Sequence, residues 1–470
     1  MNKNIMVIRL IIPVAAAALG IIILALWAQA DTPLQIEMRI PDTSDITLAN
    51  TKNTEPIGNL AELIVADGVP ADIPGAWPRF RGANFDNIYL NQEVPLARQW
   101  PDSGPPVLWS LEMGEGYAGP AVRNGRVFVL DYDRDQQKDA LRCLSLADGK
   151  EIWRFTYPIV VKRNHGMSRT VPAVTDKYVV SLGPKCHVAC LDPNSGKMFW
   201  MLDLVRDFKT KVPLWYAGQC PLIDAERAII APAGEPLMMA IDCPTGEIIW
   251  QTPNEHNWQM THSSIIPLEF AGKKMYVYCA SGGVVGVSAE DGSILWETSE
   301  WKIRSATVPS PVVVGNGRIF FTGGYNAGSV MMQLKEHDDK IVPEVVFRLT
   351  AEVFSSDQQT PILYNGYLFA VRPKPDEQLA CMDPDGNIVW SSGSTNKFQL
   401  GPLIIANGLI YIMNDTGLLT LLEATPQGYR QLAQAQVLAG HDSWGPMAMV
   451  SGRLLLRDLT RMVCLDVSTH

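Results

Sequence analysis

AIDCPTGEIIW, Ala240 to Trp250, is the stretch that decides the fold. A small residue is followed by Asp242, a turn ending in Gly246, and a short β-branched run ending in Trp250. Asp begins a turn through its side chain, Gly supplies the positive φ that closes it, and isoleucines favour a strand, so the segment reads as hairpin turn plus terminal strand. The same text recurs as CLSLADGKEIW (Cys143 to Trp153), CLDPNSGKMFW (Cys190 to Trp200), VSAEDGSILW (Val287 to Trp296) and CMDPDGNIVW (Cys381 to Trp390). Tryptophans 153, 200, 250 and 296 are spaced by 47, 50 and 46 residues, and the step from 296 to 390 holds two periods. A degenerate copy between them falls at Val330 to Leu349 and ends in VVFRL.

Upstream of each copy lies a Pro-led alternating strand, a turn and a second strand. GPAVRNGRVFVLD from Gly119, PVVVGNGRIFFTGG from Pro311 and GPLIIANGLIYIMND from Gly401 show it best, each with Asn-Gly at its hairpin. Four strands per period of about 47 residues is the signature of a propeller blade. Pro120, Pro172, Pro221, Pro267, Pro311, Pro361, Pro402 and Pro446 open eight such units. The last stops at MVCLDVSTH without a terminal strand, and that strand stands at the other end as PPVLWSL around Trp109. The expectation is an all-β, eight-bladed propeller closed by pairing its first and last strands, which removes two aggregation-prone edges; seven blades is the alternative.

The repeat resembles the tryptophan-docking motif of the pyrroloquinoline-quinone-repeat (PQQ-like) propellers, which include the quinoprotein alcohol dehydrogenases and the outer-membrane-assembly propeller lipoprotein. The resemblance covers about Trp77 to His470 and implies that Trp109, Trp153, Trp200, Trp250, Trp296 and Trp390 wedge between blades as structural residues. The dehydrogenases of this family carry a disulfide between adjacent cysteines and a Ca²⁺ held by a Glu/Asn set; this chain has no Cys-Cys pair, no Cys-x-x-Cys-His haem motif, and no lipidated Cys.

The chain's 470 residues, 37 Gly and 33 Pro suit one long turn-rich domain. Residues 1–30 form a targeting segment: Lys3 and Arg9 precede an uncharged apolar run from Leu10 to Trp27, and Ala28-Gln29-Ala30 fits a cleavage site. Cleaved signal peptide and retained transmembrane anchor both place the remainder on the periplasmic or extracellular side, with membrane contact through this segment only. Residues 31–75 read as a polar linker, and 76–470 as the propeller, entered through the aromatic and basic cluster WPRFRGANFDN. A net charge of −10 excludes nucleic acid as a favoured partner. Cys143, Cys190, Cys381 and Cys464 share one repeat position in different blades and read as unpaired core residues, while Cys220, Cys243 and Cys279 stay open.

Residues just before each blade's Pro should ring one mouth of the central channel, the default ligand site of such a ring. They are Tyr117, Arg169, Tyr216 with Gln219, His262, Arg304, Gln359, Gln399 and Trp444, a set suited to holding an anionic or planar ligand by forked hydrogen bonds and stacking. Asp131, Asp133 and Asp135 imitate part of a calcium loop, but Gln136 stands where Gly is required and Arg142 where Glu is required, so no metal is expected there. No phosphate loop, Gly-x-Ser-x-Gly elbow or His-Glu-x-x-His occurs. The leading expectation is a non-catalytic binding or scaffold propeller of the cell envelope, without cofactor, serving an envelope protein or a small ligand. The alternative is a dehydrogenase using PQQ with Ca²⁺ to oxidise an alcohol or sugar, with Asp357 as base.

Overall fold

In the computed structural model, residues 17–21, 24, 55–303 and 305–469 are described. The chain forms two units, Met1–Arg39 and Ile40–His470. Of the first, only residues 17–21 and 24 are described, and they are helical; the rest of the expected targeting segment lies outside the described residues. Among the described residues no helix is long and apolar enough to cross a membrane.

The second unit is an eight-bladed β-propeller, and each blade is an antiparallel meander of four strands. Blade 1 runs Ala121–Arg123, Arg126–Asp133, Lys138–Ser145 and Glu151–Pro158 from the channel outward. Blades 2 to 7 follow the same order, opening with Ala173–Val174, Leu222–Asp224, Ile266–Phe270, Val312–Gly315, Ile362–Tyr364 and Leu403–Ala406. Blade 8 takes three strands from the C-terminus and its outermost from the N-terminal side: Val107–Glu112 pairs with Arg461–Asp466, bringing Trp109 opposite Cys464.

The repeat motif is explained by what happens between blades. Trp109, Trp153 and Trp200 each donate their indole N–H to a carbonyl in the next blade's turn, to Leu146 at 3.1 Å, Pro193 at 3.3 Å and Cys243 at 2.8 Å. Their rings lie against the turn glycine of that blade. A Cβ on Gly149, Gly196, Gly246 or Gly292 would stand 2.5–2.8 Å from the preceding tryptophan, and all four have φ of 72–77°. Glycine is thus needed twice over, for conformation and for close approach. In the degenerate fifth blade Phe347 packs against Gly386 in the tryptophan's place. All eight cysteines are buried and free, which answers the question left by Cys220, Cys243 and Cys279.

The stretch read as a linker is, from Ile57 on, built onto the ring. Glu62–Val65 adds a fifth strand to the outer edge of blade 1, with Val65 opposite Trp153 and Glu62 opposite Thr156. The apolar patch Leu60 to Val65 therefore had a strand partner that only the folded blade supplies. The WPRFRGANFDN lead-in then crosses the channel. Trp77 exchanges backbone hydrogen bonds with Val122 of blade 1, and the Pro78 carbonyl accepts from Val174 of blade 2. Arg81 donates to the carbonyls of Thr360 and Pro361 at the start of blade 6 at 3.0 and 3.1 Å. The Asn87 amide donates to Leu403, Ile88–Tyr89 lies parallel to the inner strand of blade 7, and the Tyr89 hydroxyl accepts from Ser451 N–H in blade 8. Arg81, Phe85 and Asn87 hold left-handed backbone, which coils the loop tightly enough to fit inside the ring.

Between blades 1 and 2, Asp139 is 1% exposed and accepts the Tyr157 hydroxyl at 2.7 Å. Burial outweighs that bond and raises its carboxyl from 3.8 to about 7. Unfolded, the group ionises near its ordinary value; folded, it stays protonated, so its cost to stability grows from about pH 4 and levels off above about pH 7. Asp139→Asn keeps an acceptor for Tyr157 and abolishes the ionisation. Its melting temperature should match the parent near pH 4 and exceed it at pH 8, by on the order of 4 kcal/mol in stability; a difference independent of pH would refute the assignment.

Candidate functional site: a cup at the mouth of the channel

With the lead-in crossing the inner strands, the channel is reduced to a cup of about 390 Å³ at the face where the Pro-led segments begin. Its lining includes Phe80 from the lead-in, Tyr117, Arg169, His262, Asp357, Gln358, Gln359 and Trp444 from the approaches to the blades, and His165, Trp215 and Tyr325. Tyr117 and Trp444 pack with ring centres 5.0 Å apart, and Trp215 and Tyr325 lie nearly parallel at 6.3 Å. The walls are therefore mainly aromatic.

Arg169 is the cup's described cation. Its Nη2 donates to the carbonyls of Asn164 and Gly166, both at 3.0 Å, and its guanidinium sits 5.1 Å from the centre of the Tyr117 ring. Among the described residues no carboxylate pairs with it, and its Nε has no hydrogen-bond partner. Burial lowers its pKa to about 10, against the opposing pull of the neighbouring tyrosines, and it stays charged at neutral pH. His262 is held neutral: burial first, and Arg169 second, push it down to about 4. Burial raises the Asp357 carboxyl above its ordinary value, and no described residue donates a hydrogen bond to it.

Three of the residues expected at the mouth stand elsewhere. Tyr216 is buried behind the cup, its hydroxyl donating to the Lys162 carbonyl. Gln219 is fully buried and clamps Ala231, accepting from its N–H at 2.9 Å and donating to its carbonyl at 3.2 Å. Gln399 accepts from Asp415 N–H at 3.0 Å. Trp215, which faces the cup in place of Tyr216, escaped the strand alternation because both residues have left-handed backbone, φ 64° and 71°. Tyr325 comes from a turn between the second and third strands of blade 5, and Phe80 from outside the repeats altogether. Arg304 lies outside the described residues.

The acidic hairpin is occupied by its own chemistry. Asp131 accepts from Gly114 N–H and pairs with Arg142 at 2.9 Å, Asp133 accepts from Gln136 N–H, and Asp135 is exposed. In the cup, the described side-chain oxygens open to a hard cation such as Ca²⁺ are one carboxylate, Asp357, the amides Gln358 and Gln359, and the hydroxyls of Tyr117, Ser264 and Tyr325. Among the described residues no three His, Cys, Asp or Glu side chains gather in a way that would hold a metal ion. Among the described residues, the cup therefore offers Ca²⁺ a single anionic ligand, Asp357.

Many solved structures share the fold. An alignment with BamB from Moraxella catarrhalis spans 77% of this chain and 99% of that one at 11% identity and a TM-score of 0.51. One with a europium-containing methanol dehydrogenase spans 84% and 90% at 12% identity and a TM-score of 0.58. At such identities the likeness concerns architecture alone. No curated protein matches by sequence. Residues 137–392, more than half of the chain, match the family model described as outer membrane protein assembly factor BamB, and the chain belongs to that family of PQQ-like propellers.

Proposed function

We propose that this is a non-catalytic propeller of the cell envelope whose cup binds a small organic anion. The observation that carries the reading is Arg169: a guanidinium without an ion-pair partner among the described residues, set among aromatic rings in a protein of net charge −10. Such a group favours a carboxylate that stacks its body on Tyr117 and Trp444 or inserts it beside Trp215. The basic and apolar start of the chain supports placing the ring outside the cytoplasm.

A docking role has support of its own. The added strand Glu62–Val65 keeps one edge unpaired in the sheet order, and Leu63, Ile64 and Val65 on it are 41, 47 and 73% exposed. An edge of that kind is suited to accepting an extended segment of an envelope protein.

The dehydrogenase alternative is separated by titrating the full chain with pyrroloquinoline quinone, with and without Ca²⁺, and assaying dye reduction with alcohols and sugars. Quinone binding that is indifferent to Ca²⁺, or absent, together with no turnover, is expected. Ca²⁺-dependent binding with alcohol or sugar oxidation, both lost in Asp357→Asn, would overturn the non-catalytic reading.

A further inference from the structure

Arg169 opens blade 2 and Asp357 opens blade 6, which stand opposite one another in a ring of eight. Both line the same cup. Arg169 spends only Nη2 on the protein, and no described residue donates a hydrogen bond to the Asp357 carboxylate or pairs with it. Both are half-buried, and a partly desolvated charge without a partner is costly, the ordinary remedy being a direct salt bridge. Here none forms: Arg169 is held on the side of blade 2 by two backbone carbonyls and its tyrosine, and the Asp357 carboxylate stands on the side of blade 6 beside Gly324, where an added Cβ would meet its Oδ1 at 2.5 Å. Tyr325 lies in the field of both, Asp357 raising its pKa and Arg169 lowering it. Tyr117, Trp215, Tyr325 and Trp444 line the same cup as the two charges.

A simple anion would satisfy Arg169 and leave Asp357 desolvated; a simple cation would do the reverse. We propose that the cup's ligand is a zwitterion with a flat or aromatic body, its carboxylate held by Arg169 and its ammonium by Asp357. This rests on the reading of the cup as a small-ligand site and narrows it to amino-acid-like chemistry. Aromatic walls fit the body, and the paired charges supply orientation and selectivity.

The test uses the full chain and three probes of one size: L-phenylalanine, 3-phenylpropionate, which lacks the amine, and phenethylamine, which lacks the carboxylate. Calorimetric titration should show phenylalanine binding at least about tenfold tighter than either half. Asp357→Asn, nearly isosteric, should erase the preference for phenylalanine over phenylpropionate while keeping phenylpropionate bound, and Arg169→Gln should weaken both carboxylates; the melting temperature of each variant confirms that it is folded. Equal affinities for phenylalanine and phenylpropionate, unchanged in Asp357→Asn but lost in Arg169→Gln, would overturn the zwitterion and leave the anion-binding cup standing. Absence of binding by all three, or preference for phenethylamine, would overturn both.

Discussion

Replacing Arg81 with alanine should lower the stability of the ring by about 3 kcal/mol and weaken anion binding in the cup about tenfold. Arg81 is 4% exposed and donates from all three nitrogens: Nε to the Phe85 carbonyl at 2.8 Å, Nη1 to Thr360 and Nη2 to Pro361. The first bond curls the lead-in and the other two fasten it to blade 6. Losing them strands three carbonyls at about 1 kcal/mol each, and the relief of removing a desolvated charge offsets only part of the loss because each of the three nitrogens carried a hydrogen bond. The neighbouring Phe80 lines the cup, so a loosened lead-in disturbs the cavity it helps to bound. Thermal and denaturant midpoints give the first effect, titration with 3-phenylpropionate the second. A variant with parental stability would show that the lead-in contributes nothing to the ring.

Trp153→Ala should cost more, about 4 kcal/mol. The side chain is 1% exposed, contacts Phe128 with ring centres 5.9 Å apart, lies on Gly196 of blade 2, and pairs across to Val65 of the added strand. It therefore joins three elements, and truncation leaves a cavity that rigid blades fill poorly. A companion change sharpens the test. Gly196→Ala puts a Cβ 2.7 Å from the Trp153 ring and from Leu63 Cδ1 at a φ of 73° and should be destabilising alone; on the Trp153→Ala background the ring clash disappears and only the flexible Leu63 end must yield, so the two losses should sum to less than additively. Strict additivity would mean that the glycine serves its turn only and not the docking.

The ring was legible because its determinant is local: each Asp-to-Trp copy carries its own turn, strand and wedge, and the fifth blade keeps the wedge as Phe347 when the motif decays. The periodicity of Pro-led strands placed Tyr117, Arg169, His262, Gln359 and Trp444 at one face for the same reason. What the repeat does not encode is harder to read. The lead-in is seated by Thr360, Pro361, Leu403 and Ser451, roughly three hundred positions away in the chain, and no pattern within WPRFRGANFDN names those partners. The exchange of Trp215 for Tyr216 follows from two consecutive left-handed residues, which break the alternation that pattern reading depends on. Tyr325 and Asp357 come together only because a turn in blade 5 leans over the start of blade 6.

The most direct test of the account is a crystal of the full chain soaked in bromide, with the anion located by anomalous scattering. The predicted result is a bromide in the cup against the free edge of Arg169, absent from Arg169→Gln, with Phe80 and the lead-in seated across the channel beneath it. Bromide confined to the outer surface, with Arg169 turned into a salt bridge or the channel open from end to end, would contradict the claim that this propeller is a one-mouthed anion-binding cup.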